Sequence, residues 1–414
     1  MSNRRVVITG LGCVTALGET ADVLFDALCR AQSGVSAITS FDTAQYPVKF
    51  GGEVKAFDAA NYIDPHEAKR MDRFTQMACA SASVAIKDSG LDFEKEDKRR
   101  AGVIVGTGIG GLKEIEEQHI RLLDKGPRKV SPFCVPKLMG NAACGCISIQ
   151  YSLRGPNFCV VTACASASHA IGEAFYNILN DRSDIVIAGG SEAALSPIGL
   201  ASFCSLKSLS TRNEDPQRAS RPFDKDRDGF VLAEGAGILI LEEYEHAKKR
   251  GAKIYAEMLG YGATSDGYHI TAPLPDGAGG AEAMQVALKQ AGLSPDRIDY
   301  INAHGTSTQL NDAAESIAVK SIFGAHAYKL AVSSTKSCLG HSLGASGAIE
   351  LIVCAKTIET GVIHPTANLE VVAPECDPKI DYVPGSARQA NVRYALSNSL
   401  GFGGHNCALV IGKI

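Results

Sequence analysis

Short apolar runs rich in β-branched residues recur along this chain, at 6–9, 103–105, 159–162, 185–188 and 238–241, then at 298–302, 329–333 and 407–411. Runs this short and continuous suit strands buried on both faces, the situation in sheets covered by helices. Helical patterns lie between them, as at 166–179 and 280–292. Alternation of strand and helix implies an α/β fold. Residues 160–190 read as strand, small-residue loop, helix and strand, and 330–363 repeat that order with a helix at 348–357. Duplication accounts for the echo. It divides the chain near residue 252 into similar halves, 1–251 and 252–414, that share one site.

Composition narrows the function. A net charge of −4 supplies no basic field to attract nucleic acid. The longest apolar stretches are broken well before the roughly 20 residues that a membrane span needs. Thirteen cysteines are scattered and odd in number, with no CxxC pair or zinc spacing. They read as small buried hydrophobes in a reducing compartment. The N-terminal run passes from Arg4 and Arg5 straight into a strand, without the apolar core of a signal peptide, so the expected location is the cytoplasm.

Three motif matches point away from the final reading. Gly106-Thr107-Gly108-Ile109-Gly110-Gly111 follows an apolar run and fits GxGxxG. A dinucleotide site also needs an acidic residue ending a strand about 20 residues on, and residues 122–130 do not read as a strand. Asp224, Asp226 and Asp228-Gly229 open like a calcium loop, but Gly235 stands where the bidentate carboxylate belongs, so a charged turn is the reading. Gly340-His341-Ser342-Leu343-Gly344 matches the nucleophile elbow of a serine hydrolase, with Asp381 and His405 downstream in triad order. Its lead-in is polar rather than an apolar strand, which leaves a hydrolase using Ser342 as a remote alternative.

The stronger signal is Val160-Val161-Thr162-Ala163-Cys164-Ala165-Ser166, an apolar run ending in a cysteine and followed by small helix formers. A sulfur at a helix start is expected to be a thiolate, because helix N–H groups and the macrodipole favour the anion. His304 follows the run at 298–302, at a strand end where side chains project into a crevice, and His341 precedes a helix. Asp312 and Glu315 are three apart on a helical pattern and share a face, so either could pair with Lys336. In Gly401-Phe402-Gly403-Gly404-His405 the glycines permit unusual backbone angles around one aromatic ring, whose N–H could face an oxygen on Cys164.

These segments, together with Arg221-Pro222-Phe223-Asp224, resemble the β-ketoacyl-acyl carrier protein synthases, most closely the type II elongation enzymes, from Val6 to Ile411. The resemblance implies a thiolase-like fold, two similar halves in five α-β-α-β-α layers, and a homodimer. It implies an acyltransferase of fatty acid biosynthesis. Cys164 carries the acyl chain, and His304 and His341 assist decarboxylation of malonyl-acyl carrier protein. Phe402 gates the site and joins Cys164 in an oxyanion hole, while Lys336, Glu315 and Asp312 support the histidines. Ile109 lies at the bottom of the acyl pocket, Thr306 and Thr308 contact phosphopantetheine, and Lys69, Arg70, Arg128 and Lys129 dock acyl carrier protein. No cofactor is required beyond carrier-borne phosphopantetheine. Asn302, Ala303, Glu350, Ser397 and Asn398 match the ligands of a monovalent cation in some members. Leu400, His405 and Ala165 depart from the commonest residues at their positions and bear on gating and pocket size. A polyketide ketosynthase is the alternative within the same fold.

Overall fold

A computed structural model describes residues 4–414. Ten strands form one sheet: β1 Val6–Val14, β2 Ala101–Gly106, β3 Asn157–Val160, β4 Ile185–Glu192, β5 Gly235–Glu243, β6 Ala256–Ser265, β7 Tyr300–Asn302, β8 Ala331–Ser333, β9 Tyr394–Gly401 and β10 His405–Gly412. Their spatial order is β8-β7-β9-β10-β6-β1-β5-β4-β2-β3. Numbering the strands of each half from one to five gives the same order, 3-2-4-5-1, twice over. The pairing senses repeat as well. In each half the second strand runs parallel to the third and fourth, and the fifth is antiparallel to the fourth and first. The two half-sheets pair through β1 and β6, at Val6–Met258, Val7–Glu257 and Ile8–Ala256.

Helices cover both faces. Helix α1, Arg73–Ser89, packs on β1, β5 and β4 alongside α2, Ala142–Tyr151. Helices α4, Ala278–Ala291, and α5, Gln309–Phe323, cover the outer face of the second half. Between the half-sheets lie α3, Ser166–Leu179, and α6, Ser346–Thr360, each of which touches strands of both halves. The result is five layers of the thiolase-like kind. The middle layer carries the largest apolar cluster, and burying each of Ile171, Ile178, Leu351 and Ile352 contributes roughly 1.5–3 kcal/mol. The outer layer is close-packed for a sequence reason: a Cβ on Gly10 would sit 2.3 Å from the carbonyl of Ala85, and one on Gly12 2.1 Å from that of Ser81. Glycines in β1 therefore let α1 lie directly on the sheet.

The apolar-run reading misses two strands, β6 and β9, whose sequences are rich in Gly, Ser and Asn rather than β-branched residues. It also sets one strand at 159–162, whereas β3 ends at Val160 and residues 163–165 form a 3-10 turn. Among the described residues no helix is long and apolar enough to cross a membrane.

Candidate active site

One cavity of about 590 Å³ is lined by Ile109, Cys164, His304, Thr306, Thr308, His341 and Phe402. Cys164 reaches it because the chain leaves β3 through the tight turn Ala163–Ala165 and enters α3 directly, with Ala163 at a φ of 49°. Ser166 pins that turn: its hydroxyl accepts from the Thr162 N–H at 2.8 Å and donates to the Ala163 carbonyl at 2.7 Å. His304 follows β7, and His341 follows the short helix Lys336–Leu339. The His341 N–H donates to the Val231 carbonyl at 2.7 Å. The two imidazoles meet edge to face with centroids 5.3 Å apart. One half supplies the sulfur and the other supplies both rings.

Burial dominates the electrostatics of the sulfur. It pushes the Cys164 thiol up to about 12, although the positive charge of Lys336 and the backbone N–H groups of Phe402 and Cys164 itself pull the other way. The expected resting thiolate is therefore corrected to a neutral thiol. The helix start favours the anion, but by less than desolvation opposes it. Both histidines lie well below the usual imidazole range, through burial first and the Lys336 charge second. They are neutral. Lys336 Nζ lies 3.3 Å from His304 Nδ1, and a lysine can only donate, so the neutral ring carries its proton on Nε2. His341 Nδ1 pairs with the Ser346 hydroxyl at 3.0 Å.

The acidic residues have other partners than the spacing suggests. Lys336 forms its ion pair with Glu350, on α6, and not with Asp312 or Glu315. Glu315 instead accepts the backbone N–H groups of His304 and Gly305, each at 2.8 Å, and so fixes the turn that aims His304. Asp312 accepts the Phe223 N–H at 2.9 Å and faces Arg227 at 3.6 Å. Lys69, Arg70, Arg128 and Lys129 are exposed and do not line the cavity, and Arg70 stacks 5.4 Å over the Phe133 ring. Asn302, Ala303, Glu350, Ser397 and Asn398 are all buried. Three of their oxygens, Asn302 Oδ1, Glu350 Oε2 and Ser397 Oγ, have no hydrogen-bond partner.

The competing motifs resolve in physical terms. The glycine loop 106–111 does join a strand to a helix, Leu112–Lys125, but the N–H groups of Gly108 and Ile109 donate to the carboxylate of Glu192, at 2.6 and 3.3 Å. The donors that would cradle a phosphate already serve an internal anion. Residues 224–229 form a charged turn, with Lys225, Asp226 and Asp228 exposed and Asp224 and Arg227 turned inward. Asp224 is fully buried, bonded to Arg221 Nε at 2.9 Å and to the N–H groups of Glu370 and Val371. Among the described residues no cluster of three His, Cys, Asp or Glu could hold a metal ion. Ser342 bonds Ser346 rather than a histidine, Asp381 pairs with Arg388, and His405 packs against His169. No triad forms.

Sequence reasoning missed Ser346 and Glu192. Neither carries a motif: one is a serine among small residues, and the other simply ends an apolar strand.

A cysteine sulfur and two neutral imidazoles thus share one cavity of a thiolase-like fold. Residues 3–247 match the beta-ketoacyl synthase N-terminal domain and residues 255–370 the C-terminal domain. The chain belongs to the beta-ketoacyl synthase family and is an acyltransferase-type condensing enzyme. It is similar to the 3-oxoacyl-[acyl-carrier-protein] synthase 2 of Synechocystis sp., with 52% identity covering 100% of this chain and 99% of that protein. The protein of the same description from Coxiella burnetii is 48% identical, with full coverage of both chains. Among solved structures, the ishigamide ketosynthase/chain length factor superposes with a TM-score of 0.94 at 35% identity, covering 100% of each chain. A beta-ketoacyl synthase from Burkholderia phymatum gives 0.91 at 37%, covering 99% of this chain and 100% of that one. A third, at 0.93 and 35% with 100% of each chain covered, is a type II PKS acyl-carrier protein in complex with its ketosynthase bound to the hexaketide.

Proposed function

We propose that this enzyme elongates fatty acyl chains by two carbons, condensing a Cys164-bound acyl group with malonyl-acyl carrier protein. One observation carries the reading: Cys164, His304 and His341 line the same cavity, and the N–H groups of Cys164 and Phe402 are directed at the sulfur. Cys164 attacks the acyl thioester, and its proton leaves on the departing phosphopantetheine thiol. Malonyl thioester then enters. The N–H groups of the neutral histidines receive its carbonyl oxygen as the carboxylate leaves as carbon dioxide and the bonding pair becomes an enolate. The enolate carbon attacks the acyl-Cys164 carbonyl, whose oxyanion is held by the two backbone N–H groups. That attack forms the new C–C bond, and collapse of the tetrahedral intermediate re-forms the carbonyl and expels the Cys164 sulfur, which regains a proton. Lys336 and Glu315 act as positioning residues for His304, with Asp312 behind them.

In the same reading Ile109 bounds the acyl chain, Thr306 and Thr308 flank the pantetheine, and the exposed Lys69, Arg70, Arg128 and Lys129 meet the acidic carrier. The division at 251/252 separates the cysteine half from the histidine half. A homodimer is supported by β3, a sheet edge with Val161 next to it in the chain at 59% exposure and Ile149, on α2, at 79%. Thirteen free cysteines suit the reducing cytoplasm. The unpartnered oxygens of Asn302, Glu350 and Ser397 are hard ligands of the kind a monovalent cation takes. Fatty acid rather than polyketide extension is favoured because the relatives at 48–52% identity are 3-oxoacyl synthases, against 35% for the polyketide ketosynthase.

The test compares the wild type with Cys164→Gln on malonyl- and acyl-acyl carrier protein. The wild type yields a 3-oxoacyl product two carbons longer, and the variant releases carbon dioxide without elongation. Elongation by the variant would reject the reading.

A further inference from the structure

Glu192 ends β4, is fully buried, and takes no part in the chemistry above. Its carboxylate is held by four donors. Oε1 accepts the Thr107 hydroxyl at 2.9 Å and the Ile109 N–H at 3.3 Å; Oε2 accepts the N–H groups of Gly108 at 2.6 Å and Gly344 at 3.1 Å. Those donors come from two turns in different halves of the chain. One follows β2 and carries Ile109; the other follows His341 and leads into α6. Glycine is required on both sides of the carboxylate. A Cβ on Gly108 would stand 2.7 Å from Oε2, and one on Gly344 would stand 2.7 Å from the same oxygen and 2.3 Å from the Gly108 nitrogen. The two backbones thus approach as closely as backbones can, with a single carboxylate bridging them. Burial pushes that carboxyl up to about 7 against the four donors. A group this costly to bury persists where the geometry it fixes matters.

We propose that Glu192 is a positioning residue that clamps the turn bearing Ile109, which lines the cavity, to the turn after His341. The acyl end of the site and the malonyl end are thereby held in one register, and chain-length preference depends on a carboxylate that touches neither substrate. The chain-length part rests on the proposed function; the mechanical link between the turns does not.

Glu192→Gln keeps the side chain's size but turns an amide against two of its former donors. Thr107→Val removes one donor and leaves the carboxylate. Two readouts are taken on the full chain: amide hydrogen exchange of peptides spanning 106–112 and 340–346, and kcat/KM for acyl-carrier substrates from six to sixteen carbons. Glu192→Gln is expected to speed exchange at least tenfold in both peptides, with the segment 278–291 unchanged. The ratio of long-chain to short-chain kcat/KM is expected to move at least fivefold, and Thr107→Val to move both readouts in the same direction by less. Faster exchange in one peptide alone, or an equal slowing at every chain length, overturns the proposal. Should Glu192→Gln fail to fold, Thr107→Val decides by the same criteria. A wild type that elongates no substrate refutes the proposed function instead, and the exchange result still judges the clamp.

Discussion

Lys336 Nζ donates to the carbonyl oxygen of His304 at 2.7 Å while lying 3.3 Å from the same residue's Nδ1. One cation therefore sets both the backbone and the ring orientation of a single histidine. Its third contact, the ion pair with Glu350, anchors it to α6 in the middle layer of the fold.

Removing one partner of a buried ion pair leaves the other charge uncompensated, at a cost of about 3–5 kcal/mol. Lys336→Met is predicted to lose stability of that order in urea unfolding, and malonyl decarboxylation with it. Adding Glu350→Gln should restore part of the stability. Strict additivity of the two losses would show that the pair does not act as one unit.

Burial makes Cys164 a weak acid, with its thiol near 12. Each pH unit below that value lowers the thiolate fraction tenfold. Alkylation of Cys164 by iodoacetamide should accordingly rise about tenfold per unit between roughly pH 7 and 10, without a plateau. A plateau near neutrality would restore the thiolate expected from the helix start alone.

The depressed histidines give an opposite kind of profile. Because His304 and His341 stay neutral well below 6.5, decarboxylation by Cys164→Gln should be level from about pH 8 to 6. Carbon dioxide release that halves near 6.5 would contradict it. Stability follows the same sign: below 6.5 the unfolded chain binds protons that the folded rings refuse, so these two residues make the protein less stable as pH falls. Substituting both by Asn removes that contribution from the pH dependence of unfolding. Glu192 and Glu350, each raised to about 7, act in the other direction, their contribution being present below 4.5 and lost as pH rises through 7.

A substitution at Gly401 is predicted to separate the two half-reactions. A Cβ there would stand 2.9 Å from the Thr162 carbonyl and 3.3 Å from the Cys164 nitrogen. Gly401→Ala should slow acyl transfer to Cys164 at least tenfold and leave malonyl decarboxylation within about twofold of the wild type. Equal losses in both steps would mean that the glycine loop does not act on the cysteine side alone.

Much of this was legible in the chain itself, for identifiable reasons. The turn at Cys164 and helix α3 could be read because an apolar run gives way abruptly to small helix formers, and helix 166–179 matches its reading to the residue. Both histidines could be read as strand-end or loop residues. The partner of Lys336 could not, because Glu350 lies on a helix whose approach only the fold determines. The turn at 224–229 was legible as a charged turn, but the burial of Asp224 and Arg227 within it was not, because part of what covers them is distant in sequence. Strands β6 and β9 were hidden by their small residues, which exist to admit helices. Glu192 bonds three backbone N–H groups and one hydroxyl, and backbone donors leave no trace in a sequence.

The proposed chemistry depends on Cys164 being the nucleophile. Incubating the wild type with an acyl-acyl carrier protein in the absence of malonyl substrate, then digesting and weighing the peptides, tests it directly. The account predicts one acyl adduct, on the peptide containing Cys164 and released by hydroxylamine. An adduct on the peptide containing Ser342, with Cys164 free, would contradict it.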